Sequence, residues 1–267
     1  YMGTPSWGWE EVDRLSLRSF LGWCLRKGLS KRTIGRKLSA LRGFFRFLHM
    51  EDRLPANPAR AVRAPKMEKR LPGHLTRPEV EAVFRLAEAR AAENTLVGTR
   101  GLVVLEILYG SGVRLSELHG LNLSDLDLRA GQLKVTGKGR KERIVPITSG
   151  AARALRRYEP RRREALASTE APPEPGALLL NNRGRRLSRR SIQRVVRDYL
   201  EAAATDQGLS VHSLRHSFAT HLLDAGADLM AVKELLGHAS LSTTRIYTHT
   251  TTEHLKRAYR QAHPRAD

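Results

Sequence analysis

The stretch from Ala64 to Leu75 constrains the fold of this chain more than any other. It reads Ala-Pro-Lys-Met-Glu-Lys-Arg-Leu-Pro-Gly-His-Leu, with two prolines, a glycine and several charges, and it has little apolar periodicity. Such a run cannot continue a helix or strand packed on a core, so it reads as a linker. The 267 residues also exceed the usual size of one domain. The expected organisation is a helical domain over 1–64, a linker over 65–75 and a second domain over 76–267.

Local signals support elements on both sides. Ser30 reads as a helix N-cap, and the run after it is amphipathic, with Ile34, Leu38, Leu41, Phe45 and Leu48 on one face and Arg32, Arg36 and Arg46 on the other. A preceding helix from about Glu10 to Lys27 carries Leu17, Phe20 and Leu21, and a short helix is expected near Asn57. After the linker, Thr76 and Glu79 form a capping box with Pro78 in the first turn, so the second domain opens on a helix. Leu133 and Val135 alternate with polar residues, Gly137-Lys138-Gly139-Arg140 makes a turn, and Ile144 to Ile147 returns as the partner strand. Residues 168–176 read as a loop and Leu178 to Leu180 as a third strand. From Ser188 a helix places Ile192, Val195, Val196, Tyr199 and Leu200 in one stripe, with Arg189, Arg190, Arg194 and Arg197 opposite. The fold class is mainly α with a small antiparallel β-sheet.

Charge then narrows the partner. Lys and Arg total 47 against 27 acidic residues, a formal net charge of +20, and they are spread from Arg14 to Arg265. A folded polycation of this kind gains affinity for nucleic acid by releasing condensed counterions. A membrane surface fits less well, because the most apolar run, Leu102 to Leu108, is short and contains Glu106. Arg32, Arg36, Arg46, Arg140, Arg189, Arg190 and Arg194 are the expected DNA contacts, although each basic helix face taken alone reads equally as a solvated surface. Cys24 is the only cysteine, which excludes an intrachain disulfide or a Cys-rich zinc site and points to a reducing compartment such as the cytoplasm. No secretory signal pattern opens the sequence, which begins with Tyr1 and not Met.

Several residues could carry chemistry. Arg114 lies in Gly110-Ser-Gly-Val-Arg-Leu-Ser-Glu-Leu118, where a glycine-broken turn leads into a new helix whose amides suit an anion and where Glu117 can orient the guanidinium. Lys138 stands between two glycines at a hairpin tip. A Walker A loop is excluded there, since five residues separate Gly131 from Gly137 and Gly139 replaces the required Ser or Thr. His212 and Arg215 share a helix face, with Leu214, Phe218 and Leu222 on the buried side. His212 and His216 have a zinc-like spacing, but no Glu lies between them and no thiol is near, so no metal is expected. Gly237 ends a helix over Asp228 to Leu236 and presents His238, and Tyr247 follows Ser242-Thr243-Thr244. Alone, these read as a surface ion pair, a turn lysine and a half-packed tyrosine. A phenol with a pKa near ~10 attacks phosphorus only where neighbours take its proton and hold the developing charge.

Taken together and in order, Arg114, Lys138, His212, Arg215, His238 and Tyr247 resemble the signature of the tyrosine recombinase (phage integrase-like) family. Pro65-Lys66 with Arg70-Leu71-Pro72, Thr136-Gly-Lys-Gly-Arg-Lys and the ending from His254 to Ala266 are most similar to Xer-type site-specific recombinases. The resemblance implies a two-domain DNA clamp, with a helical N-terminal domain that here lacks its first helix and a mixed catalytic domain. It implies Tyr247 as nucleophile, Arg114, Arg215 and His238 on the phosphate oxygens, Lys138 as general acid and His212 as proton acceptor, without metal or nucleotide cofactor. It further implies a 3′-phosphotyrosyl intermediate, a Holliday junction and a tetramer on two double-stranded DNA sites, formed with itself or a related recombinase through a docking helix at about 253–262. Resolution of chromosome or plasmid multimers is the expected role. A mobile-element integrase, a topoisomerase-like enzyme and a non-catalytic DNA-binding protein are the alternatives.

Overall fold

A computed structural model describes residues 8–66, 73–168, 172–204 and 208–237, with the backbone alone at Lys138. The chain divides into two units, Tyr1–Leu71 and Pro72–Asp267, and each buries an apolar cluster of its own.

In the first unit, α1 (Arg14–Arg26) and α2 (Lys31–Met50) pack through Leu17, Leu21 and Cys24 against Ile34, Leu38, Phe45 and Leu48. The first helix starts later than the expected Glu10. The Asp13 carboxylate accepts the Ser16 amide at 2.7 Å and caps α1 there, leaving a separate 3-10 turn at Trp9–Glu11. Ser30 caps α2 through the Thr33 amide at 3.2 Å. Arg32, Arg36 and Arg46 are exposed on α2. Near Asn57 the chain forms turns where a short helix was expected. The Asn57 side chain accepts the Ala59 amide at 2.9 Å and donates to the Arg42 carbonyl at 3.0 Å, offering the backbone a local alternative to helical bonds.

The second unit opens on α3 (Arg77–Ala92). Its capping box is complete, the Thr76 amide donating to Glu79 Oε2 at 2.8 Å and the Glu79 amide to Thr76 Oγ1 at 3.4 Å. Next comes α4 (Leu96–Gly110), buried on every side from Gly98 to Gly110. It packs against α3, α6 (Ser149–Ala167), α7 (Arg189–Ala203) and α8 (Val211–Asp224). The apolar run Leu102 to Leu108 is thus a central core helix. Among the described residues no helix is long and apolar enough to cross a membrane.

Three antiparallel strands lie in the order β1 (Leu126–Asp127), β2 (Gln132–Thr136) and β3 (Glu142–Pro146), with Leu133 opposite Val145 and Val135 opposite Arg143. The third strand is therefore β1, and the expected strand at Leu178 to Leu180 is absent. That segment is fully buried, but side chains take several of its backbone groups. Arg162 Nε donates to the carbonyls of Ala177 and Leu178, and Tyr158 Oη accepts the Leu180 amide at 2.9 Å. Its backbone pairing is confined to two isolated bridges, the Leu178 amide donating to Leu121 O at 3.0 Å beside Asn122–Ala177 and Leu179 O accepting the Leu187 amide at 2.8 Å beside Leu180–Arg186. Short helices α5 (Leu115–Gly120) and α9 (Leu229–Leu236) complete the described part of this unit.

The capping box gives a direct test of how α3 begins. Thr76→Ala should lower stability by about 1 kcal/mol, read from the denaturant midpoint at unchanged slope. A midpoint equal to the parent's would show that the cap does not hold this helix.

Candidate active site

The site is assembled where four chain segments meet. The first is the turn after α4. Gly112 adopts φ +57°, and a β-carbon there would fall 2.5 Å from the Phe218 ring, so only glycine lets this turn press against α8. Its carbonyl accepts a hydrogen bond from Arg215 Nη1. Arg114 then stands at the N-cap of α5 with extended backbone. Its own amide donates to Glu117 Oε2 at 2.7 Å, and its Nη1 donates to Glu117 Oε1 at 2.8 Å. Glu117 thus occupies an amide that was expected to face an anion.

The second segment is β3. Arg143 shares the inward face with Val145, and its Nη1 and Nη2 clasp Glu117 bidentately at 2.8 and 2.9 Å. Sequence reasoning missed this residue. The signal was present, because alternation in Glu-Arg-Ile-Val-Pro puts Arg143 in phase with the buried valine. Burial raises the Glu117 carboxyl, but the hydrogen bonds from Arg143 and the Arg114 amide outweigh it and hold the group at about 2.

The third segment is the end of α9. Asp228 caps its start through the amides of Met230 and Ala231, and Gly237 closes it in the left-handed region at φ +63°. Helices leave their last carbonyls without intrahelical partners. Here three guanidinium groups take them in succession. Arg143 Nε donates to Leu235 O at 3.0 Å, Arg215 Nη2 to Leu236 O, and Arg114 Nη2 to Gly237 O at 2.9 Å. Gly237 also lies flat on Arg143, since a β-carbon would be 3.0 Å from Nη1 and 3.1 Å from Cζ.

The fourth segment is α8, whose second turn carries Arg215, 9% exposed. Burial, followed by the charges of Arg114 and Arg143 against that of Glu117, pushes its guanidinium down to about 10, so it remains a cation at neutral pH. The face of α8 is less cleanly divided than expected. Ser213, Ser217 and His221 are also buried, Ser217 Oγ accepting the Leu75 amide at 2.7 Å and the His221 ring pairing with Tyr109 Oη at 2.9 Å. His212 is exposed in the first turn, one turn ahead of Arg215.

Lys138 opens a 3-10 turn between β2 and β3, with Gly139 at φ +74° and Arg140 at φ +58°, closed by the Gly137 amide on Lys141 O at 2.8 Å. The Lys138 side chain, His238, Tyr247 and the docking helix expected at 253–262 lie outside the described residues. Arg140 is exposed at this turn, and Arg189, Arg190 and Arg194 are exposed along α7. Burial, then the charges of Arg189 and Arg186, lowers the His119 imidazole from its ordinary value.

The sequence pattern of the Phage integrase family matches residues 74–254, and that of the phage integrase N-terminal SAM-like domain matches residues 5–52. The chain is 45% identical to the tyrosine recombinase XerC of Thermodesulfovibrio yellowstonii over 96% of its own length and 83% of that protein's. It is likewise 45% identical to XerC of Pelotomaculum thermopropionicum, again over 96% and 83%. Among solved structures, the XerH site-specific recombinase bound to palindromic difH substrate in a post-cleavage complex is similar at a TM-score of 0.72 and 26% identity. The match covers 95% of this chain and 73% of that one.

The held-down Glu117 carboxyl makes stability depend on pH in a defined direction. An acid whose folded value lies near 2 against an ordinary 4.5 stabilises the fold fully above the ordinary value, by about 3 kcal/mol, and loses this as pH falls to about 2. Against Glu117→Gln, the parent should therefore be more stable above pH 4.5, with the gap in denaturant midpoints closing toward pH 2. A gap independent of pH would refute the ion pair as its source.

Proposed function

The chain belongs to the phage integrase family, as a tyrosine site-specific recombinase of the Xer type, and we propose on that basis how its residues cut and rejoin double-stranded DNA. The observation that carries the reading is that Arg114 and Arg143 bond one carboxylate, Glu117, while Arg114, Arg143 and Arg215 all donate to one helix end. Three cations against one anion leave an excess of two positive charges in a largely buried setting, which an incoming phosphodiester would offset. Each guanidinium has five N–H donors. The bonds described occupy two on Arg114 and two on Arg215, so donors remain for non-bridging phosphate oxygens.

In this proposal Tyr247 Oη attacks the scissile phosphorus in line as its proton passes to His212. The bond from phosphorus to the 5′-oxygen breaks, and that oxygen takes a proton from Lys138. Arg114, Arg215 and His238 stabilise the charge that accumulates on the non-bridging oxygens. The product is a 3′-phosphotyrosyl ester and a free 5′-hydroxyl. Since the ester conserves the bond energy, a 5′-hydroxyl from a second duplex can attack it and exchange strands, and two such exchanges pass through a Holliday junction. No step requires a divalent ion or a nucleotide.

Duplex DNA as partner is supported by the net charge of +20, by the exposed arginines of α2 and α7 and by the DNA-bound recombinase of similar fold. Arg32, Arg36, Arg46, Arg140, Arg189, Arg190 and Arg194 would lie along its backbone. We place the protein in the cytoplasm, as a tetramer on two sites formed with itself or a related recombinase, resolving chromosome or plasmid multimers. The helix proposed at 253–262 docks each protomer on the next.

A suicide substrate carrying a nick beside the cleavage point should trap a protein–DNA adduct, seen as a shifted band on a denaturing gel. Tyr247→Phe should abolish the adduct while DNA affinity changes less than about threefold; an adduct that persists in the variant would remove Tyr247 as nucleophile. Removing residues after Thr250 should leave binding of a single site intact and impair synapsis of two. An undiminished recombination rate would eliminate the docking helix from the assembly.

A further inference from the structure

We propose that Arg143 is a positioning residue that braces the Lys138 hairpin and the Leu235-to-Gly237 end of α9 against one another. This deepens the reading above and rests on its assignment of Lys138 as general acid. Arg143 is the inward residue of β3 that lies closest in sequence to the turn carrying Lys138. Its side chain is 9% exposed, and its three bonds go to Glu117 Oε1, Glu117 Oε2 and Leu235 O. These bonds are to protein groups, so the residue acts through others.

Two glycines bracket the Arg143–Glu117 pair. On one side Gly237 lies against the guanidinium, its would-be β-carbon 3.0 Å from Nη1 and 3.2 Å from Nε. On the other, a β-carbon at Gly137 would be 3.5 Å from Glu117 Oε1 and 3.9 Å from Arg143 Nη1. Gly137 directly precedes Lys138 in the chain, and Gly237 directly precedes His238. One planar ion pair is therefore the common floor beneath the backbone leading into two residues of the proposed chemistry, which are a hundred positions apart in sequence. A lysine at 143 would keep the charge but could not supply both the bidentate clasp on Glu117 and the bond to Leu235 O.

The test uses the full chain with Arg143→Lys and Arg143→Ala beside the parent and Lys138→Ala. Amide hydrogen exchange is read first. Bracing predicts faster exchange at both 137–141 and 235–237 in the Arg143 variants, with α4 unchanged; exchange that stays at parental rates in either segment overturns the proposal. Cleavage is then measured on two suicide substrates, one ordinary and one with sulfur replacing the bridging 5′-oxygen, whose thiolate departs without needing a proton. The Arg143 variants should cut the ordinary substrate roughly 10- to 100-fold more slowly, the range seen when a supporting partner of a functional group is lost, and should recover most of that on the sulfur substrate. Equal losses on both substrates, while Lys138→Ala is rescued by sulfur, overturn the proposal and leave the acid assignment standing. If Lys138→Ala is itself not rescued, the acid assignment fails, and the exchange result alone decides whether Arg143 braces the two segments. Arg143→Lys guards against a folding defect in the alanine variant, since it keeps the buried charge opposite Glu117.

Discussion

One buried carboxylate makes the rest of the site possible. Two guanidinium groups in direct contact with Glu117, and a third close by, would repel one another in a poorly solvated space. A charge pair at about 4 Å is worth roughly 4 kcal/mol at an effective dielectric of 20, so an anion among them decides whether they can converge. Glu117 meets this need because the bonds it accepts keep it ionised far below neutral pH. It also leaves the cluster short of negative charge, with Arg114 and Arg143 fixed against it by hydrogen bonds.

The second constraint is geometric and comes from the backbone. The closing carbonyls of α9 lie at the negative end of its dipole, and three cations from separate elements converge on them. Arginine suits this task because its fork can hold a carboxylate on one edge and a carbonyl on another. Gly112 and Gly237 supply the close approaches, one against a phenylalanine ring and the other against a guanidinium plane.

How much of this could be read from the sequence depended on range. The caps at Ser30, Thr76, Ser188 and Gly237 act within a few residues, and so could be read from composition alone. The pairing of Arg114 with Glu117 was legible for the same reason. Asp13 has the same capping chemistry, yet the apolar pattern around it drew the first helix too far toward Glu10. At Leu178 to Leu180 an apolar run signalled burial, but its backbone is shared between isolated bridges and side chains of α6, so no strand forms. Arg143 went unread since a charged residue in a strand suggests the surface, and its acceptors are contributed by residues 26 and 92 positions away. Similarly, nothing local in Arg215 announces that its acceptors are the carbonyls of Gly112 and Leu236.

The dependence of three arginines on residues 235 to 237 also bears on the order in which this protein can mature. Synthesis runs from the N-terminus, so the basic faces of α2 and α7 leave the ribosome before α9 exists. In a partly made chain the guanidinium groups of Arg114, Arg143 and Arg215 would still lack the carbonyls that align them. The arginine cluster is thus completed only once the last turn of α9 has been made.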